Sequence, residues 1–72
     1  MNYYAVQVSK VPGPMSTITV EGGATVADAL ELAHISMENG YEIRMNNDKV
    51  SLDTEITSDS VIILTKMIKG NN

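Results

Sequence analysis

The chain has 72 residues, nine acidic against five basic, and a formal charge of -4 at pH 7, so it accommodates one small acidic domain. We expect residues 1–72 to form that domain, with residues 69–72 as a flexible tail. A hydrophobic fraction of 43% and a charged fraction of 19% exclude a disordered chain, and the lack of cysteine excludes a disulfide scaffold, a thiol nucleophile and a zinc knuckle.

Two alternating segments at the start of the chain predict a β-hairpin. Residues 3–10 and 15–21 place apolar side chains at alternate positions, which is the period of a half-buried strand. Between them, prolines stand on both sides of Gly13, and they preset a turn while preventing a continuous ladder. We expect the two strands to pair antiparallel.

A helix is predicted directly after this hairpin. Gly22 and Gly23 end the second strand, Thr25 lies at the N-cap position, and Asp28 is the acid of a weak capping box. An apolar stripe at helical spacing predicts that the helix packs on a core. The stripe consists of Val26, Ala29, Leu30, Ala33 and Met37.

The end of the helix is indicated by one misplaced apolar residue. Ile35 falls on the polar side of the predicted helix. That position is explained if the helix ends at Ala33 and His34 adopts a left-handed conformation, because Ile35 then folds back onto Leu30 as in a Schellman cap. We therefore expect the helix to end before His34.

The second half of the chain predicts three further strands. Residues 41–45 alternate as a third strand, and the run from Asn46 to Asp48 favours a tight turn into a short fourth strand at 49–52. Residues 53–60 are polar apart from Ile56, and residues 61–68 form an apolar run typical of a central strand. We expect the helix to pack on the resulting sheet. The predicted contacts join Val26, Leu30 and Ala33 to Ile18, Ile43, Ile62 and Leu64.

This order of elements resembles the ubiquitin-like β-grasp fold. It implies an α+β domain in which one helix packs across a mixed sheet of four to five strands (ββαββ). Residues 25–33 resemble the helix start of ThiS-type and MoaD-type sulfur carriers, and Ser58-Asp59-Ser60 stands where those carriers have Asp-Gly-Asp. The run from Val61 to Gly70 is similar to their last strand and tail.

The carboxyl-terminal tail departs from that family at the position that carries its chemistry. Sulfur carriers and ubiquitin-like modifiers end in Gly-Gly, because a narrow extended tail enters the activating enzyme and its terminal carboxylate is adenylated. Here Lys69 precedes Gly70, which matches the first glycine, while Asn71 replaces the second and Asn72 extends beyond it. Carrier chemistry would require removal of the residues after Gly70, or an activating enzyme that accepts asparagine.

Catalytic and metal-binding sites are not indicated elsewhere. His34 is the only imidazole, and we interpret it as a helix-end residue. Asp53, Glu55 and Asp59 share one loop but lack the glycine and the closing carboxylate of a calcium loop, so we interpret them as turn and capping residues. Most methionines, including Met15, Met37 and Met45, are interpreted as packing residues. We expect no catalytic residue, no metal and no cofactor.

The face of the sheet opposite the helix is the candidate binding surface. Strand alternation places apolar groups there beside one arginine, which is a pattern typical of protein recognition. The alternatives are ordinary surface and contact with a second copy of the chain. The candidate residues are Tyr3, Ala5, Arg44, Ile63, Thr65 and Met67, together with the tail residues Lys69, Gly70, Asn71 and Asn72.

The partner classes follow from charge and hydropathy. An acidic chain whose only aromatic residues are three tyrosines is a poor match for nucleic acid. The longest apolar run, Val61 to Leu64, is far shorter than the roughly 20 residues of a membrane span, and the amino terminus does not resemble a secretory signal. We expect a soluble cytoplasmic protein with a protein partner.

The functional hypothesis is a small, non-catalytic, ubiquitin-like interaction module. The alternative is a sulfur carrier or protein modifier that is activated at a trimmed Gly70. An independent enzyme is the least favoured class, because no nucleophile, acid and base pair or cofactor loop is present.

Overall fold

One helix packs on one face of a mixed sheet in the computed structural model, which describes residues 2–67. The elements are β1 (Tyr3–Lys10), β2 (Met15–Glu21), α1 (Val26–Leu32), β3 (Tyr41–Met45), β4 (Asp48–Val50) and β5 (Ser60–Lys66). The five strands are ordered β2-β1-β5-β3-β4, with β1 parallel to β5 and the other neighbours antiparallel. This arrangement confirms the predicted α+β class with one helix and a mixed sheet.

The first hairpin forms with the predicted boundaries. Tyr3 pairs with Glu21 and Ser9 with Met15, so the two strands are matched along most of their length. Ser9 departs from the expected alternation, because it is buried although its neighbours on the same face are exposed. The turn after β1 accounts for this burial, since the Ser9 hydroxyl donates to the Gly13 carbonyl at 3.3 Å.

Both predicted ends of the helix are confirmed. The Thr25 hydroxyl accepts from the Asp28 backbone N–H, and the Asp28 carboxylate accepts from the Thr25 backbone N–H at 3.0 Å, which completes a capping box. At the other end, His34 is left-handed with φ 59°, and the Ile35 N–H donates to the Leu30 carbonyl at 2.9 Å. This geometry is a Schellman cap.

The loop before β5 supplies the hydrogen-bond acceptors that the first turn of the helix lacks. The N–H groups of Val26 and Ala27 donate to the carbonyls of Thr54 and Leu52, at 2.9 and 3.0 Å. The first N–H groups of any helix have no partner inside it, so these bonds satisfy donors that burial would otherwise leave unpaired. Ile56 anchors the loop, because its side chain is fully buried.

The core lies between the helix and the sheet. Leu30 faces it from the helix, with Ile43, Ile62 and Leu64 from the sheet, as predicted. Ile18 and Ala33 pack at its edge and are only partly buried. Ile56 is a core residue that alternation did not identify, since it comes from an irregular loop. The buried apolar residues are Val6, Val8, Val20, Val26, Ala29, Leu30, Ile43, Ile56, Ile62 and Leu64.

Three predictions of detail are wrong or shifted. Met37 is not on the helix face, because the helix ends at Leu32 and Met37 lies exposed in the following loop. Met15 is also exposed, so Met45 is the only one of the three methionines that packs against the core. The short fourth strand spans Asp48–Val50 instead of 49–52, because left-handed Asn46 and Asn47 place the turn immediately after β3. The predicted extension of the last strand to Ile68 lies outside the described residues.

Two leucines of the same helix test the assignment of its buried face. Leu30 is 3% exposed and Leu32 is 53% exposed. We expect Leu30→Ala to lower the free energy of unfolding by about 2 to 5 kcal/mol, because it leaves a cavity in a small core. We expect Leu32→Ala to change it by less than about 0.5 kcal/mol. Chemical denaturation of both variants measures the difference, and equal effects would show that the helix packs by another face.

Candidate recognition surface

The outer face of the sheet, opposite the helix, is built by alternate residues of four strands. Within the sheet, Ile63 of β5 lies between Ser9 of β1 and Arg44 of β3, and Arg44 is followed by Lys49 of β4. Thr65 lies one step further along β5, opposite Glu42. Arg44, Val61, Ile63 and Thr65 therefore form one continuous surface, which we call the outer patch.

Arg44 is held in place by two neighbours on its own side of the sheet. Its Nε donates to Glu42 Oε2 at 2.8 Å, and its Nη1 donates to the Asn47 carbonyl at 3.2 Å. The Glu42 side chain is 20% exposed and that of Arg44 is 47% exposed, so solvent weakens the pair but leaves the guanidinium oriented. These two bonds restrict the guanidinium, which lies beside Ile63 on the outer patch.

A groove of about 550 Å³ crosses the outer patch beside the β3–β4 turn. Apolar side chains from β5 form one wall, and the arginine and two asparagines form the other. This combination suits a protein surface or peptide, because apolar contact and directional hydrogen bonds are available together. The lining residues are Arg44, Asn46, Asn47, Val61 and Ile63.

The six predicted surface residues do not form a single patch. β1 and β5 are parallel with Val6 beside Ser60, so Tyr3 lies at one end of the sheet and Met67 follows the opposite end. Ala5 lies nearer the outer patch and lines a pocket with Val61 and Asn46. Counting strand positions, Tyr3 and Met67 are separated by roughly 30 Å along the sheet. The structure brings together Arg44, Ile63 and Thr65.

The base of the tail lies next to the start of β3. The Met67 N–H donates to the Gly40 carbonyl at 2.6 Å, just beyond the pairing of Lys66 with Tyr41. Lys10 reinforces this corner, with its ammonium 4.7 Å from the centre of the Tyr41 ring and 3.3 Å from the Glu38 carboxylate. The predicted tail residues Lys69, Gly70, Asn71 and Asn72 lie outside the described residues.

The other candidates have structural roles. His34 forms the left-handed end of the helix, as predicted. Asp59 accepts a hydrogen bond from the Ala5 N–H at 2.9 Å and so ties the last loop to β1. Residues 2–67 hold no group of three or more histidine, cysteine or acidic side chains that could bind a metal ion. Within the same residues, no helix has the length and apolar character needed to cross a membrane.

Comparison with solved structures identifies the fold. The crystal structure of SAMP1 from Haloferax volcanii matches with a TM-score of 0.74 at 14% sequence identity, over 93% of this chain and 99% of that chain. A crystal structure of H. volcanii small archaeal modifier protein 1 matches with a TM-score of 0.71 at 14% identity, over 90% and 99%. This chain has the ubiquitin-like β-grasp fold. Comparisons with protein-family models and with curated proteins find no match.

Three residues of the β-grasp surface were not among the predicted site residues. Val61 is 36% exposed and lines the groove, and Asn46 and Asn47 close its end. Val61 shares the outward side of β5 with Ile63, but the position of the groove follows from the β3–β4 turn. Asn46 of that turn accepts a hydrogen bond at its Oδ1 from the Val61 N–H of β5, at 3.0 Å. A sequence pattern does not reveal this contact.

Adjacent residues of β5 test which face of the strand is outward. Ile63 lies on the outer patch and Leu64 is fully buried. We expect Ile63→Asp to lower the free energy of unfolding by about 1 to 2 kcal/mol, since the carboxylate remains in contact with water. Leu64→Asp buries a charge without a partner and is expected to cost more than about 4 kcal/mol. Thermal or chemical unfolding compares them, and a larger loss for Ile63→Asp would mean that the two faces are exchanged.

Proposed function

We propose that this chain is a small ubiquitin-like protein without catalytic activity of its own, which acts in the cytoplasm by binding a protein partner through the outer patch and its tail. The observation that carries this proposal is the groove over Arg44, Val61 and Ile63, on the sheet face that the helix leaves uncovered. Nucleic acid and membranes are not proposed as partners, because the chain has a formal charge of -4 and few aromatic residues.

The oriented guanidinium gives this surface its expected specificity. A partner that presents a carboxylate near an apolar group can contact Ile63 and accept hydrogen bonds from Arg44 at the same time. Glu42 already neutralises part of the charge, so selectivity depends on geometry more than on net attraction. Ala5 lines a neighbouring pocket with Val61 and Asn46. Tyr3 lies further along β1, at the end of the sheet, and is not required for this contact.

A second candidate function is covalent, and the likeness to two solved structures of small archaeal modifier proteins supports it. In this alternative, a host peptidase catalyses hydrolysis of the peptide bond between Gly70 and Asn71. The new Gly70 carboxylate attacks the α-phosphate of ATP on a host activating enzyme, releasing pyrophosphate. A sulfur or amine nucleophile then displaces AMP from the acyl adenylate. Asn71 stands against this candidate, because it replaces the second glycine of the family's tail.

The contribution of the outer patch is measured by affinity capture from the source cell followed by quantitative mass spectrometry. We expect wild-type protein to retain a defined partner, and Ile63→Asp and Arg44→Glu to lose it. Thr57→Asp is the matched control, because Thr57 is exposed in the loop before β5 and does not line the groove. Equal recovery of the partner with all four proteins would contradict the proposal.

The state of the tail distinguishes the two candidate functions. We expect protein isolated from its own cell to retain Asn71 and Asn72 and to carry no adduct, because a channel built for glycine rejects an asparagine side chain. Intact-mass measurement checks this. A species that ends at Gly70, a mass increase from added sulfur, or a conjugate that Gly70→Ala abolishes would favour the covalent candidate.

A further inference from the structure

The two edges of the sheet differ in how well they are protected from pairing with another strand. β4 is an edge of three residues, Asp48–Val50, and it carries both an acidic and a basic side chain. β2 is the other edge, with seven residues, Met15–Glu21, and neither proline nor lysine within it. Short length, charge and proline are the usual protections of an edge. β2 is not short, and it has no charged residue or proline before its last residue, Glu21.

The hydrogen-bond pattern identifies the groups that β2 presents outward. The Ala5 N–H donates to Asp59 and the Val11 N–H donates to Leu64, so the odd-numbered residues of β1 are directed towards β5. The even-numbered residues of β1 therefore bond to β2, where Val6 is opposite Ile18. In an antiparallel pair the alternate residues point away, which leaves the backbone groups of Thr17 and Thr19 on the free edge. Among residues 2–67, no backbone hydrogen bond outside the β1 ladder reaches either threonine.

The centre of β2 is symmetric about Ile18. It reads Met-Ser-Thr-Ile-Thr-Val-Glu, with Thr17 and Thr19 flanking Ile18. Two copies that pair antiparallel about Ile18 place Thr17 opposite Thr19, and Ile18 opposite Ile18 of the other copy. Opposed threonines and opposed β-branched residues are favourable cross-strand pairs. This register also brings the outward backbone groups of the two threonines into hydrogen-bonded positions.

The charges permit this register. Glu21 is the only ionised residue of β2, and it lies opposite Met15 of the other copy instead of opposite its equivalent. The two Glu21 carboxylates are then about 20 Å apart along the joined edge, which exceeds the Debye length of about 8 Å in physiological salt. Met15, which is 47% exposed in the single chain, gains a neighbour across the junction.

We propose that β2 is a self-association edge, through which two copies of this chain join antiparallel about Ile18 into one continuous sheet. The occupant is a second copy because the strand pairs with itself over its full length, opposes its own outward hydrogen-bonding groups at Thr17 and Thr19, and places its only charge, Glu21, opposite the neutral Met15. Association stops at two copies, since only the short, charged β4 edges remain free. The contact falls below the roughly 1,200 Å² of stable complexes, so monomer and dimer exchange with concentration. This inference is independent of the outer patch.

Sedimentation equilibrium from micromolar to millimolar protein tests the proposal on the full chain. We expect a monomer–dimer equilibrium that strengthens with added salt, because each copy carries a formal charge of -4. Thr17→Pro removes an outward N–H that β1 does not use, and we expect it to raise the dissociation constant more than about tenfold. Thr17→Val keeps the N–H and is expected to change the constant by less than about threefold.

Amide hydrogen exchange of the wild type provides a reading that does not depend on a variant. We expect the Thr17 and Thr19 amides to become protected as concentration rises, while the amide of Lys49 in β4 does not. A monomer at every concentration, larger oligomers, or an unchanged constant for a folded Thr17→Pro variant would overturn the proposal. Loss of the dimer in Ile63→Asp with retention in Thr17→Pro would place the contact on the outer patch and would equally overturn it.

Discussion

The hydrogen bonds between the first turn of the helix and the loop before β5 are the constraint on which the rest of the structure depends. A seven-residue helix is too short to be stable by its own turns. Its first two N–H groups therefore take the carbonyls of Thr54 and Leu52 as acceptors, and the buried side chain of Ile56 fixes that loop against the core. The capping box and the Schellman cap complete the two ends. Because these contacts join the helix to the segment that leads into the central strand, they set where the helix lies over the sheet.

The same constraint determines which surfaces remain available for binding. One helix covers one face of a five-stranded sheet, and no helix of residues 2–67 lies on the other. On that second face the turn after β1 shields Ser9, while Arg44 and Val61 remain exposed. The outer patch lies on that free face, and the β2 edge lies at its margin. The two surfaces differ in chemistry, because the patch offers an oriented arginine beside apolar groups while the edge offers backbone donors and acceptors. A protein of this size can thus use separate surfaces for a different protein and for a second copy of itself.

Local patterns predicted most of the fold, and pairing over long sequence distances explains the rest. Both helix ends were predicted from Thr25, Asp28 and His34, because helix caps depend only on residues that are close in sequence. Ile56 was not recognised as a core residue, since an isolated apolar residue in a polar loop has no periodicity. Alternation places Arg44, Ile63 and Thr65 on the outer face of the sheet, where the structure has them, but Tyr3 and Met67 lie at opposite ends of that face. Alternation defines the face of a strand but not its offset against a parallel neighbour, here Val6 beside Ser60.

Amide hydrogen exchange of Val26 and Ala27 tests most directly whether the loop holds the helix in place. These two amides open only with the whole domain if Thr54 and Leu52 are their acceptors, so they should exchange as slowly as the amides of Ile62 and Leu64 in the central strand. The N–H groups at the start of a helix without such acceptors exchange rapidly, because they are bonded to water. Rapid exchange of Val26 and Ala27 in a protein whose central strand remains protected would contradict this account. It would show that the loop before β5 does not hold the helix over one face of the sheet.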